Sequence, residues 1–175
     1  MRAARVVMLV LAGIVMMSLA GCCGGETSTA AVSKPTVGNV PQGWYLSDET
    51  PYGTFEDTDG TIWGLLEYTD PEDYDFVQIW YGQIPTELKG KESDGSALVA
   101  RAVTEAVTFE PEETGTMTVS GRTAGYAETC DPSWEWCEKE IVWVESTTYF
   151  DVYAMYDDTS ADWNEVSSLI QSIDP

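Results

Sequence analysis

The fold is decided by the stretch KEIVWVESTTYFDVYAMY, residues 139–156. From Lys139 to Thr147, successive side chains fall on two alternating faces. One face carries Glu140, Val142 and Val144, and the other carries Ile141, Trp143 and Glu145. From Tyr149 to Tyr156, one face carries Phe150, Val152, Ala154 and Tyr156. A period of two residues is typical of a β-strand. The stretch therefore predicts two strong consecutive strands.

Weaker strand patterns precede this stretch. We expect strands at residues 52–56, 61–69, 75–84, 115–120 and 122–129. The first two flank Asp57-Thr58-Asp59-Gly60, in which Asp-Gly supplies the positive backbone dihedral angles of a tight hairpin turn. Residues 75–84 carry apolar side chains on both faces, which indicates a strand that is covered on both sides.

Two segments follow a helical period instead. Between residues 96 and 107 the apolar positions are Val99, Ala102, Val103 and Ala106, with Asp94 or Ser96 as the N-cap. The last segment carries Trp163, Val166, Leu169, Ile170 and Ile173, and its cap is Asp158 or Thr159, or Asp162 with Glu165 reaching back. The element order predicts one α+β domain over residues 44–175, an antiparallel β-sheet sandwiched by helices.

This element order resembles the PsbP-like family. The resemblance covers about residues 41–175 and includes Val119-Ser120-Gly121-Arg122-Thr123-Ala124-Gly125-Tyr126 and the closing segment from Trp163 to Ser172. It implies a small extracytoplasmic domain with an antiparallel sheet between helices. The functions of that family are diverse, so the resemblance implies a fold and no catalytic residue.

The N-terminus is similar to a prokaryotic lipoprotein signal. Arg2 and Arg5 precede an apolar run from Val6 to Met17, and Leu19-Ala20-Gly21-Cys22 matches a lipobox. We expect residues 1–21 to be removed and Cys22 to carry the lipid anchor; lipidation of Cys23 would place a cysteine before the cleavage site. Residues 22–43, rich in Gly, Ser, Thr and Ala, then form a flexible tether. The expected location is the cell membrane, facing away from the cytoplasm.

The charge excludes several classes of function. The chain has 30 acidic and 8 basic residues, a net charge of −22, and no histidine. Such a chain repels nucleic acid, so we expect no nucleic-acid partner. The absence of histidine excludes Ser-His-Asp and Cys-His nucleophile systems. Acids in this number indicate either solvation at high salt or the binding of cations, and the first interpretation is favoured.

Cys130 and Cys137 enclose Asp-Pro-Ser-Trp-Glu-Trp and predict a disulfide, because the expected compartment is oxidising. Within that loop, Trp134 and Trp136 form a candidate contact surface for an envelope protein or a sugar, since indoles bury a large area at little entropic cost. The alternative is that both indoles fold back and pack on the sheet.

The acidic clusters are weak candidates for metal sites. From Asp57 the twelfth position is Tyr68, where a calcium loop needs an acid, so a hairpin turn is favoured. The cluster Asp70, Glu72, Asp73 and Asp75, and the pair Asp157 and Asp158, are interpreted as solvated. We therefore expect no metal and no cofactor.

Taken together, these patterns predict a lipid-anchored binding or accessory protein of the cell envelope rather than an enzyme. One alternative is an envelope enzyme that uses acids alone, which requires a pocket gathering carboxyl groups of raised pKa. Another is a lipoprotein that binds a small ligand.

Overall fold

The computed structural model describes residues 32–56, 62–71, 75–131, 133 and 135–174. Its elements are β1 (Thr36–Val37), β2 (Tyr45–Glu56), β3 (Ile62–Thr69), β4 (Phe76–Gln83), a 3₁₀ turn (Thr86–Leu88), α1 (Gly95–Glu105), β5 (Glu113–Val119), β6 (Arg122–Asp131), β7 (Trp136–Glu145), β8 (Thr148–Asp157), α2 (Ser160–Gln171) and β9 (Ile173–Asp174). Neither helix in these ranges combines the length and the apolar composition needed to cross a bilayer.

Seven of the strands form one antiparallel sheet in the order β2-β3-β4-β8-β7-β6-β5. The two strands predicted from residues 139–156 are β7 and β8, and they lie side by side inside the sheet. Their register places Val142 opposite Asp151 and Trp143 opposite Phe150. Strands β4, β3 and β2 extend the sheet beyond β8, and β6 and β5 extend it beyond β7.

Each face of the sheet carries its own apolar cluster. One face, the α2 face, combines Ile141, Trp143 and Phe150 with Val166 and Leu169 of α2. The opposite face, the α1 face, combines β-strand residues with Leu98 and Ala102 of α1, and its members include Val142, Val144 and Tyr149. The strands β7 and β8 are therefore buried on both sides, although they carry buried charged residues as well as apolar ones.

The predicted fold class, an α+β fold in which helices sandwich the sheet as in PsbP-like proteins, is wrong. The described chain is mostly β, with 52% strand and 19% helix. Seven strands spaced about 4.8 Å apart make a sheet roughly 29 Å wide, whereas the 12 residues of α2 span about 18 Å. Two helices this short cover only part of each face. The strands are also longer than expected, because β2 begins at Tyr45 rather than at Tyr52.

Both helices begin at residues that the sequence suggested. The Asp94 carboxylate accepts hydrogen bonds from the N–H groups of Ser96 (3.0 Å) and Ala97 (3.2 Å) and caps α1. The Thr159 hydroxyl accepts from the N–H of Asp162 at 3.2 Å and caps α2. These bonds satisfy N–H groups that have no partner within a helix.

A buried lysine holds the start of α2 against the sheet. The Lys139 Nζ lies 2.9 Å from Glu128 Oε2, and 4.2 Å and 4.5 Å from the ring centroids of Trp163 and Tyr126. The Tyr156 hydroxyl donates to the same Glu128 carboxylate. A charge this buried is tolerated because it is paired and also lies over two aromatic rings.

The segment before β2 contacts the domain. Residues Thr36–Val37 pair with Ile173–Asp174, and Pro35 is buried. The Lys34 Nζ lies 2.6 Å from the Glu49 carboxylate on β2. The folded part of the chain therefore begins before residue 44, the predicted boundary between tether and domain.

Helix α1 approaches the sheet at backbone distance over Gly125 on β6. A Cβ atom at this position would lie 2.2 Å from the carbonyl carbon of Leu98 and 2.3 Å from the nitrogen of Val99. Both atoms belong to the helix backbone, so no side-chain rotation relieves the overlap. Only glycine permits this contact.

We predict that Gly125→Ala lowers the free energy of unfolding by about 2–3 kcal/mol, because α1 must move off the sheet. Urea denaturation with linear extrapolation measures the change. The matched control is Gly38→Ala, since a Cβ at Gly38 has its nearest neighbour at 3.7 Å. Equal stability of the two variants would contradict the close packing of α1.

Candidate functional site

The predicted disulfide is confirmed. Cys130 and Cys137 lie directly opposite each other on β6 and β7, with an S–S distance of 2.05 Å. The bond joins the ends of two neighbouring strands. Glu128 lies close to both sulfur atoms, but because the sulfurs are bonded to each other they have no thiolate to offer a metal.

Of the two predicted contact residues, Trp136 lies within the described part of the chain. Trp134 lies outside the described residues. Trp136 is the first residue of β7 rather than part of a loop, and it is half-buried. Its register partners are Asp131 on β6 and Asp157 on β8. Strand alternation places Trp136 on the same side as Val142, which is the α1 face.

Beside Trp136, an area of the α1 face is not covered by α1. The helix packs on β5, β6 and β7, whereas this area extends across β8 and β4. Five half-buried side chains define it, and we call them the open face: Phe76, Gln78, Trp136, Tyr153 and Met155. The register pairs Phe76 with Met155 and Gln78 with Tyr153, so these side chains occupy adjacent rows.

The open face combines aromatic rings with fixed polar groups. Phe76 and Tyr153 meet edge to face, with ring centroids 5.5 Å apart. The Gln78 amide donates to Glu67 at 2.7 Å, and the Tyr153 hydroxyl donates to Glu138 at 2.7 Å. The hydrogen bonds hold the Gln78 and Tyr153 side chains in place, and the aromatic rings are partly exposed. Such a surface can bury aromatic area against a partner and can offer carboxylate oxygens as acceptors.

Two acids lie deeper on the same face, near α1. Glu140 on β7 and Asp151 on β8 are 5% and 8% exposed and hydrogen-bonded to each other. Burial raises the pKa of both carboxyls, and the neighbouring Asp151 raises that of Glu140 further. We assign the shared proton to Glu140, because its hydrogen bond raises the pKa of Glu140 and lowers that of Asp151.

Charged groups from α1 face this acid pair. Arg101 binds the Tyr149 hydroxyl at 3.3 Å and Glu87 at 2.5 Å, and it also pairs with Glu105. The Arg101 guanidinium attracts Asp151 and the Glu105 carboxylate repels Glu140. Burial also raises the pKa of Glu138, which lies one row away. A single arginine thus offsets part of the acidic charge beneath α1.

The acidic clusters of the sequence are described only in part. Asp57-Thr58-Asp59-Gly60, Glu72 and Asp73 lie outside the described residues. Asp75 is buried, and its carboxylate accepts the N–H of Asp157 at 3.1 Å, so it supports the end of β8. Asp158 is exposed, and its N–H donates to the carbonyl of Glu135.

Sequence reasoning missed the acid pair although the signal was present. Glu140 alternates in phase with Val142 and Val144, which places an acid on a face that is otherwise apolar in this strand pattern. Asp151 shares its phase with Tyr149 and Tyr153, opposite the apolar row of β8. An acid in phase with core residues on two neighbouring strands is the pattern that identifies such a pair.

No family model, no curated protein and no solved structure matches the chain. The resemblances to PsbP-like proteins and to lipoprotein signals therefore stay predictions from the residues.

We predict that the Glu140→Gln variant is more stable than the wild type at high pH and equally stable at low pH. Folding raises the pKa of Glu140, so the protonated carboxyl stabilises the folded state. This stabilisation is complete below the pKa of the unfolded chain, about 4.3. It is lost as pH rises through the higher pKa of the folded state. Glutamine keeps a donor toward Asp151 and does not ionise. Urea denaturation should show no gain near pH 4 and a gain of about 1–3 kcal/mol near pH 8.

The control for this experiment is Glu110→Gln, which removes the same charge at an exposed position. Its effect reports the relief of general acidic repulsion. If both variants show the same dependence on pH, the buried pair does not share a proton.

Proposed function

We propose that the chain is a lipid-anchored binding or accessory protein of the cell envelope, which contacts a protein partner through the open face. The observation that carries the proposal is the row of half-buried aromatic side chains, Phe76, Tyr153 and Trp136, on a sheet surface that α1 leaves uncovered. The lipobox supports the anchor and the outward location. On this proposal, the anchor concentrates the domain at the membrane where its partner lies.

The surroundings of the open face indicate the charge of that partner. Glu67, Asp131 and Asp157 surround the aromatic side chains, and Glu138 lies among them. Opposite charges across an interface speed association and disfavour wrong partners. A complementary partner therefore presents basic side chains around an apolar centre. A sugar that stacks on Trp136 is a second candidate, supported by the acceptors beside the indole.

An enzyme that uses acids alone is the alternative function. It would act through Glu140 and Asp151, the two carboxyls whose pKa burial raises. Both carboxyls are less than a tenth exposed, and they share their proton with each other. A general acid must reach within hydrogen-bond distance of its substrate. We therefore assign the pair to the packing of α1 rather than to catalysis.

Site-specific photo-crosslinking in intact cells tests the proposal. We predict that p-benzoylphenylalanine in place of Phe76 gives a discrete crosslinked protein, because the ring lies within the contact surface. The matched control is the same substitution at Phe55, which is 39% exposed and lies at the opposite end of the sheet. Phe55 should give little or no crosslinking.

The anchor is tested in the same cells. Cys22→Ser should release the protein from the membrane fraction and remove the Phe76 crosslink, whereas Cys23→Ser should change neither. Equal crosslinking from Phe76 and Phe55 would contradict the assignment of the open face. Retention of Cys22→Ser in the membrane fraction would contradict the lipid anchor.

A further inference from the structure

The outer edge of β5 is an unpaired strand edge. Within the described residues β5 pairs only with β6, and it forms one side of the seven-stranded sheet. The turn to β6 has positive φ angles at Ser120 (47°) and Gly121 (80°), which indicates a tight two-residue hairpin. In such a hairpin Val119 and Arg122 form a hydrogen-bonded pair, and the pattern alternates from there.

This alternation shows which backbone groups point outward. The N–H and C=O groups of Thr114, Thr116 and Thr118 face away from β6. The Thr118 carbonyl confirms the direction, because it accepts a hydrogen bond from the Gln171 side chain at 2.5 Å. Outward groups of this kind form a template for another strand.

The opposite edge of the sheet is blocked at several positions, whereas the hydrogen bond from Gln171 covers β5 at Thr118 and leaves the outward groups of Thr114 and Thr116 without a partner strand among the described residues. Strand β2 has register shifts between Leu46 and Asp48 and between Thr50 and Phe55, and it contains Pro51 and the charged Glu49. Bulges, proline and charge are the usual means of blocking an edge. From Thr114 to Val119, β5 keeps one continuous register and has neither proline nor a charged residue.

A groove beside β5 matches the position of an added strand. It is shallow and open to solvent, and it is lined by Asp94, Gly95, Ser96, Val99, Ala100 and Thr116. An added strand would lie about 4.8 Å from β5. The residue of that strand opposite Thr116 would direct its side chain toward the α1 face. The groove lies on that face, so a small apolar side chain of the added strand fits against Val99.

Charge identifies the kind of strand that fits. Asp94 lies on the rim of the groove, and Glu112 and Glu113 lie at the start of β5. The chain as a whole carries −22, so a second copy is repelled. We propose that the outer edge of β5 and the adjoining groove bind an extended, cationic segment of a partner protein by strand addition. This surface is separate from the open face.

The test uses the full-length lipidated protein in detergent micelles and the synthetic peptide KKTVTVTKK, with EETVTVTEE as the acidic counterpart. Main-chain hydrogen bonds supply most of the affinity in strand addition, so a generic sequence is a suitable probe. At about 1 mM KKTVTVTKK, the amide hydrogens of Thr114 and Thr116 should exchange at least about tenfold more slowly. The acidic peptide should leave their exchange unchanged.

Two variants provide the controls. Thr116→Pro removes an outward N–H that β6 does not use, and it should abolish binding with little change in melting temperature. Thr116→Val keeps the backbone and the shape and should bind as the wild type does. If Thr116→Pro does not fold, Val99→Glu in the groove takes its place and should weaken binding at least about tenfold.

The proposal is overturned if the wild-type amides are unaffected by KKTVTVTKK, or if the proline or Val99→Glu variant binds as tightly as the wild type. Equal binding of the acidic peptide would overturn the cationic assignment. Protection of Thr116 without peptide, rising with protein concentration, would show that a second copy occupies the edge instead.

Discussion

Burial of β7 and β8 on both faces is the constraint on which the rest of the structure depends. Trp143 and Phe150 stack at 4.7 Å on one side of this pair, while Val142 and Tyr149 pack on the other. Neither face of the hairpin can be left in water, because burial of each large apolar side chain contributes about 1.5–3 kcal/mol. One short helix packs on part of each side: α2 belongs to the cluster that holds the stacked rings, and α1 belongs to the cluster that holds Val142.

On the α1 face, two acidic residues are buried together with the apolar side chains. There, Glu140 and Asp151 alternate with apolar residues, and α1 packs against backbone at Gly125. Burial of two carboxyls is tolerable only if they share a proton and if a cation such as Arg101 is near. The same polar row continues toward the end of the sheet, where α1 no longer covers it and the open face begins.

Much of the fold could be predicted because it depends on short-range patterns. The alternation in residues 139–156 identified β7 and β8, and the i, i+3, i+4 spacing of Val99, Ala102 and Val103 identified α1. The order in which the seven strands pair could not be read in this way, since it depends on contacts between distant segments such as β4 and β8. The expected fold class was wrong because the local patterns underestimated the length of the strands, above all of β2, which begins at Tyr45.

The candidate site was predictable in part. The sequence offered Trp136 as a candidate contact residue, but it assigned the indole to a loop, because nothing local showed that β7 starts there. Phe76 and Tyr153 join Trp136 only through the order of β4, β8 and β7, which is a property of the whole sheet. The alternation placed Glu140 and Asp151 among core residues. That the two acids meet follows only from the pairing of β7 with β8.

Hydroxyl-radical footprinting of the protein on intact cells and after purification tests the central claim most directly. Trp136 and Trp163 are both half-buried and lie on opposite faces of the sheet, so each serves as a reference for the other. If the open face is the contact surface, oxidation of Trp136 falls several-fold on cells relative to the purified protein, and oxidation of Trp163 does not change. An unchanged ratio between the two tryptophans would contradict the account.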